Sequence, residues 1–360
     1  MINDIVSPPT YDTIEGIPAP SANDFLAGHQ DNVEFLVQAY KSGRMHHALL
    51  LEGPQGIGKA TFAFRLAGHI LQYPQAAQAP LHLNKPDYTT SLYRQIAGGM
   101  HPAVLHISRP FDQKTSKFRT VITVDEIRKV THFLTRTASD DGWRIVIIDP
   151  ADDMNRNAAN ALLKTLEEPP AKALFILISH SAGRLLPTIR SRCQALRFKP
   201  LDHGSMRETL NHIGSHVGLD TGNADYMQSL LARSEGSVRR ALLMAANGGL
   251  EIADTADAIL AAPVFDVPKA QNLAQVLTGR EAEVQYHLFM EHMLNLIAAK
   301  ACKYAQDGFV GAADAWSRFW HKISDEAAET MTYNLDRKQA VMLVLQKTHL
   351  ATHGDLMGAM

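Results

Sequence analysis

The stretch Gly53-Pro54-Gln55-Gly56-Ile57-Gly58-Lys59-Ala60 carries the clearest chemical signal in the chain. It matches G-x-x-x-x-G-K and departs from the full pattern at the last position, where Ala60 stands in place of Ser or Thr. Gly53, Gly56 and Gly58 let backbone N–H groups curl around a phosphate, the following helix offers its N-terminus to the anion, and Lys59 reaches the terminal phosphates. The missing hydroxyl is the one that would ligate Mg²⁺. Thr61 comes one residue too late and points ~100° further round the helix. The complementary acidic element is Asp149, at the end of the apolar run Ile145-Val146-Ile147-Ile148, where a carboxylate holds Mg²⁺ through water. Pro150 follows, in the place where an ATP-hydrolysing site needs a carboxylate to activate the attacking water. Asp152 and Asp153 fall on the next turn, where their plainest role is to complement a helix N-terminus. With catalytic groups absent at two separate places, the chain is expected not to turn over ATP by itself. Two readings of the loop stay open: a weak ATP or ADP site, or a turn that keeps its shape with no nucleotide.

These residues need strands and helices to hold them, and the patterning supplies both. Ala48–Leu51 reads as a strand leading into the glycine-rich turn, and Thr61–Leu71 as the helix after it. Val104–Ile107, Arg144–Ile148 and Leu174–Ser179 read as further strands, with helices expected over Asn32–Lys41, Val124–Thr135 and Asn157–Glu167. Continuous apolar strands separated by helical patterns are what a parallel sheet covered on both faces requires. An α/β domain is therefore expected over residues 25–200. Beyond Lys199-Pro200 the strand signals stop, and short helical patterns at Met206–Ile213, Ala224–Ser234 and Val238–Ala246 predict a helical domain over 201–265. Residues 266–360 read as all-helical, with Leu288, Met290, Met293, Leu294 and Ile297 at helical spacing. These can bury within the domain or against a neighbour. Residues 1–24, with Pro8, Pro9, Pro18 and Pro20 and few large apolar side chains, read as a flexible leader.

The chain has 360 residues, with 35 Lys+Arg against 37 Asp+Glu and a net charge of −2. That balance argues against coating nucleic acid through bulk charge. With only Cys193 and Cys302, neither a disulfide framework nor a four-Cys zinc module can form. No apolar run approaches the ~20 residues that span a bilayer, and the N-terminal stretch lacks a signal-peptide pattern, so a cytoplasmic protein that meets no membrane is expected.

Three further stretches carry a family likeness. They are Asp149-Pro150-Ala151-Asp152-Asp153-Met154, Asn160-Ala161-Leu162-Leu163-Lys164-Thr165-Leu166-Glu167-Glu168-Pro169-Pro170, and Ser191-Arg192-Cys193. Together they resemble the clamp-loader branch of the AAA+ superfamily. Gly43–Ala48, His101-Pro102 and Asn334–Gln339 look like the same family, so that the likeness covers about residues 25–345. It implies a RecA-like P-loop AAA+ domain with a parallel sheet, a small helical lid and an all-α collar that drives oligomerisation. It implies that Arg192 is an arginine finger completing the ATP site of an adjacent subunit, that Ser179, with His180, falls at the sensor-1 position, and that Arg239 is the sensor-2 arginine. Gly53, Gly56, Gly58, Lys59 and Asp149 complete the degenerate nucleotide site. The implied setting is a five-subunit ring, beside a gamma/tau-type subunit and across a gap from a delta subunit, that places a sliding clamp on primed DNA without reading its sequence. In a DNA polymerase holoenzyme this chain would be a stator with no required cofactor. Many members carry a Cys₄ zinc module after the P-loop helix, but Leu71–Met100 has no Cys and only His82, so no zinc is expected. The competing readings are a catalytically active gamma/tau-like ATPase, opposed by Ala60 and Pro150, and a standalone P-loop enzyme, for which no acceptor site is visible.

Overall fold

The computed structural model describes residues 9–135, 142–279 and 282–354. The chain divides into two compact units, Met1–Arg240 and Ala241–Met360.

The first unit begins with helix α1 (Gln30–Lys41), strand β1 (Ala48–Glu52), helix α2 (Lys59–Gln72) and helix α3 (Ser91–Ala97). Strand β2 (Val104–Ile107) follows, then a short antiparallel hairpin, β3 (Phe111–Asp112) and β4 (Lys117–Phe118), and helix α4 (Val124–Thr135). The remainder runs β5 (Arg144–Ile148), α5 (Arg156–Glu167), β6 (Ala173–Ser179), α6 (Pro187–Arg190), β7 (Gln194–Arg197), α7 (His203–Ile213) and α8 (Ala224–Arg233). Helix α9 (Val238–Ala246) carries the chain from one unit to the other.

The five long strands form one sheet in the order β2-β5-β6-β1-β7, parallel throughout. Alternation of side chains explains why the apolar runs are continuous. Leu49, Leu51, Ile147, Ile176 and Ile178 pack with α1 and α2 on one face. Leu50, Val146, Ile148, Phe175 and Leu177 pack with α4 and α5 on the other. A strand buried on both faces has no polar position to spare, and all of β6 is buried. Local chemistry fixes the helix starts: the Asn155 side chain accepts from the Ala158 N–H and caps α5, and Asp202 does the same for α7 through Ser205.

Residues 9–24 correct the expectation of a flexible leader, whose first eight residues lie outside the described ones. Ala22 is buried, Ser21 Oγ donates to the Ala97 carbonyl at 3.1 Å, and the Asp24 carboxylate pairs with Lys85 at 2.7 Å and His212 at 2.9 Å. Polar anchors, absent from a reading based on apolar content, hold this segment down.

The second unit is all-helical: α10 (Gly249–Ala261), α11 (Val267–Val276), α12 (Glu283–Gln306), α13 (Val310–Thr332) and α14 (Arg337–Thr352). Its core joins Ile259, Phe289, Met293, Phe319, Val341 and Leu345. Of Met290, Leu294 and Ile297, which the sequence left open between two kinds of burial, Met290 and Ile297 are buried in that core and Leu294, partly buried, packs against it. Among the described residues, no helix is long and apolar enough to cross a membrane.

Candidate functional site: a closed phosphate loop and an outward arginine

The glycine-rich turn leaves the C-terminal end of β1 and enters α2 at Lys59, as its spacing predicts. Gly56 has φ +77°, and a Cβ there would run into the Cβ of Arg239. The loop is covered from the side by the turn before α9: Ser237 Oγ donates to the Gln55 carbonyl at 2.8 Å, and the Arg239 N–H donates to the Gly56 carbonyl at 3.3 Å.

Lys59 is buried. Its Nζ donates to the carbonyls of Gly53 at 2.6 Å and Pro54 at 2.5 Å, so the loop's own backbone takes the bonds that a phosphate would accept. Burial lowers its pKa to about 8, opposed by the nearby Asp149 and Asp152. Burial raises Asp149 to about 7; the Asp12 charge adds to the shift, Lys59 opposes it, and Asp153 and Asp152 add to it. Beside Asp149 lies a cavity of about 210 Å³ whose lining includes Asp12, Phe64, His106, Ser108 and Asp149.

Ser179, the expected sensor-1 residue, is buried and donates to Asp152 Oδ1 at 2.7 Å. Asp152 Oδ2 in turn accepts from the N–H groups of His180 at 2.5 Å and Ser181 at 3.1 Å. Asp152 is therefore a brace between β5 and β6, and Ser179 serves that brace. Its neighbour Asp153 pairs with Arg109 at 2.5 Å, whose guanidinium lies 4.2 Å from the centre of the Tyr11 ring. Arg239, the expected sensor-2 residue, donates from its guanidinium to the Asp12 carbonyl. His180 is lowered to about 3, by burial and then by the Lys59, Arg239 and Arg109 cations, and its Nδ1 is buried without a partner. The groups present do not fit Mg²⁺, since Ala60 offers no oxygen. Among the described residues, no cluster of three or more His, Cys, Asp or Glu is placed to hold a metal ion.

Arg192 sits elsewhere. β1 and β7 pair in parallel, Leu49 opposite Gln194 and Glu52 opposite Arg197. The phosphate loop follows the C-terminal end of β1, whereas Arg192 precedes the N-terminal end of β7. The two groups therefore lie at opposite ends of one sheet. The Arg192 side chain is 35% exposed; its Nη1 donates to the Thr188 carbonyl at 2.8 Å, and its Nη2 lies 2.5 Å from Glu167 Oε1. Beside it Cys193 is half-buried, and burial pushes its thiol up to about 12, which leaves it unreactive.

The structure thus gathers Gly53, Gly56, Gly58, Lys59, Asp149, Ser179 and Arg239 at one end, and leaves Arg192 alone at the other. Sequence reasoning missed Tyr11, Asp12 and Arg109, which no motif marks. It also missed the partner of Arg192, although Glu167 lies within the quoted Leu166-Glu167-Glu168-Pro169-Pro170.

A parallel sheet in this order, with the phosphate loop after β1, an acidic residue after the adjoining β5 and a helical segment closing over the loop, defines a P-loop domain of the AAA+ type. Comparison with known sequences narrows the class: residues 28–202 match the family described as DNA polymerase III, delta subunit. The chain is similar to DNA polymerase III subunit delta' of Pseudomonas aeruginosa, 41% identical over 148 residues that make up 41% of each chain. It is also similar to the subunit of that name from Escherichia coli K12, 35% identical over 45% of each chain, and from Bacillus subtilis 168, 30% identical over 60% of this chain and 58% of that one. The chain spans about half the length of these curated relatives, between 41% and 58%.

Proposed function

We propose that the chain is the delta-prime clamp-loader subunit of a DNA polymerase III holoenzyme. It works as a cytoplasmic stator that turns over no ATP and needs neither zinc nor any other cofactor of its own. In a ring with gamma/tau and delta subunits it lends Arg192 to the ATP site of its neighbour, supplying positive charge as the γ-phosphate leaves. The ring uses that ATP to place a sliding clamp on primed DNA, which it meets through phosphates and not through base sequence. The observation that carries this reading is the placement of Arg192 at the end of the sheet opposite Lys59, partly exposed, where it can reach no phosphate on its own chain. Ala60 and Pro150 support the absence of turnover, because loss of a hydrolytic group costs orders of magnitude in rate. The own P-loop keeps the groups to hold a nucleotide weakly, through Lys59, Arg239 and the N-terminus of α2.

The test is ATP hydrolysis by the reconstituted complex and by the isolated chain. The isolated chain is expected to be inactive, and Arg192→Ala to abolish the increment in hydrolysis that the chain gives its ATPase partner. Robust turnover by the isolated chain, lost in Lys59→Ala, would overturn the reading in favour of a gamma/tau-like ATPase.

A further inference from the structure

Arg192 does not swing freely. Its two terminal nitrogens are taken by acceptors on different elements: Nη1 by the Thr188 carbonyl at 2.8 Å, with Ser191 Oγ further off at 3.4 Å, and Nη2 by Glu167 at 2.5 Å. Thr188 lies one turn earlier on the same short segment, so that contact is local. Glu167 is the last residue of α5, and Pro169-Pro170 tie it stiffly to β6 at the centre of the sheet.

The siting of Glu167 is unfavourable on its own terms. A carboxylate at the C-terminus of a helix faces the negative end of the dipole, and Glu168 adds a second like charge. An ion pair whose partners are 35% and 47% exposed adds little to folding stability. What such a pair does fix is direction. A guanidinium is a rigid planar fork on a long flexible stem, and its effect on a departing phosphoryl group depends on where its N–H bonds point.

We propose that Glu167 is the positioning residue of Arg192: it grips the fork at Nη2 while the Thr188 carbonyl grips Nη1, leaving Nε–H and the remaining outward N–H to a phosphoryl oxygen of the adjoining subunit. The inference rests on the reading of Arg192 as a finger acting in trans, and it names the residue that aims it. The carboxylate also subtracts from the positive charge delivered. A residue that merely screened or stored the arginine would therefore slow hydrolysis, and its removal would speed it. A positioning residue has the opposite sign.

The experiment is steady-state ATP hydrolysis by the complete reconstituted complex carrying wild type, Glu167→Gln, Glu167→Ala, Arg192→Ala or the Glu167→Ala/Arg192→Ala pair, with assembly checked by sedimentation. Glu167→Ala is expected to lower kcat about tenfold with KM for ATP within about twofold, less than the ~100-fold that a full ångström of misplacement costs. Glu167→Gln keeps an amide oxygen for Nη2 and is expected to restore kcat to within about threefold of wild type. In the Arg192→Ala background, Glu167→Ala is expected to change nothing further, since it acts through the arginine. If Arg192→Ala itself leaves hydrolysis unchanged, the finger reading falls and this inference with it. If Arg192→Ala slows hydrolysis but Glu167→Ala leaves it unchanged or raises it, the finger stands and Glu167 does not position it. An equal loss from Glu167→Ala with and without Arg192 assigns Glu167 to the fold alone and overturns the proposal.

Discussion

The two ends of the central sheet treat their cations in opposite ways. At the C-terminal end, Lys59 is buried with its ammonium bonded to two loop carbonyls, and the Arg239 guanidinium donates to the Asp12 carbonyl, so both positive groups are satisfied from within the chain. At the N-terminal end, Arg192 is held at two points and keeps part of its surface open. The same sheet therefore presents one phosphate-binding apparatus turned inward and one arginine turned outward. A P-loop signature tells which fold a chain has, and not whether the cations beside it are free to meet a phosphate.

The comparison can be broken most directly at Arg192. Arg192→Ala should reduce hydrolysis at the adjoining subunit's ATP site by about 10³-fold or more, the usual contribution of a finger supplied in trans, with the isolated chain's melting temperature unchanged. Single-turnover hydrolysis in the complex measures this.

The inward end should reveal itself through pH. Asp149 is raised from its ordinary 3.8 to about 7, so the folded state binds more protons than the unfolded state between those values. Stability from this group is complete below about pH 3.8 and is lost as pH rises through about 7. Burial lowers His29, His69, His101, His106 and His180, which tilts the total the other way below about pH 6.5, so the readout is a difference: the stability of wild type relative to Asp149→Asn, from denaturant unfolding, should decline on the order of 1–3 kcal/mol from pH 4.5 to 8. A difference that stays flat or rises over this range would mean that the carboxylate is solvated.

Gly56→Ala sharpens the same end. The new methyl would meet the Arg239 Cβ at a positive φ, so the loop and the turn above it must separate. A loss of about 1–3 kcal/mol in unfolding free energy is expected, whereas Gly43→Ala, at a similar φ with nothing within 4 Å, should cost about 1 kcal/mol or less. The smallest effect belongs to Ala60→Ser. Restoring the loop hydroxyl should leave the isolated chain without measurable ATP turnover, because Pro150 still occupies the place of the water-activating carboxylate.

Most of the sheet was legible because its strands are apolar without interruption. β1, β2, β5 and β6 announce themselves as Ala48–Leu51, Val104–Ile107, Arg144–Ile148 and Leu174–Ser179. β7 did not: it is an edge strand in which only Leu196 is buried, and Gln194 and Arg197 show no apolar run. The β3–β4 hairpin, four strand residues in all, offers no period to detect. At the site, the phosphate loop was readable from its glycines, whose need for positive φ constrains the sequence itself. The spent state of its lysine was not, because the acceptors are backbone carbonyls that every residue possesses. The leader failed for a related reason: its anchors are Ser21, Asp24 and Tyr11, polar and aromatic groups whose partners lie far along the chain. Glu167 was present in the quoted motif, but only the fold brings it to Arg192.

The difference between the two ends comes down to one measurement: ATP hydrolysis by the reconstituted complex carrying either Lys59→Ala or Arg192→Ala in this chain. Lys59→Ala is expected to leave the rate near wild type and Arg192→Ala to remove the contribution of this subunit. The reverse pattern, loss with Lys59→Ala and none with Arg192→Ala, would show that the chain works at its own phosphate loop and not at its neighbour's.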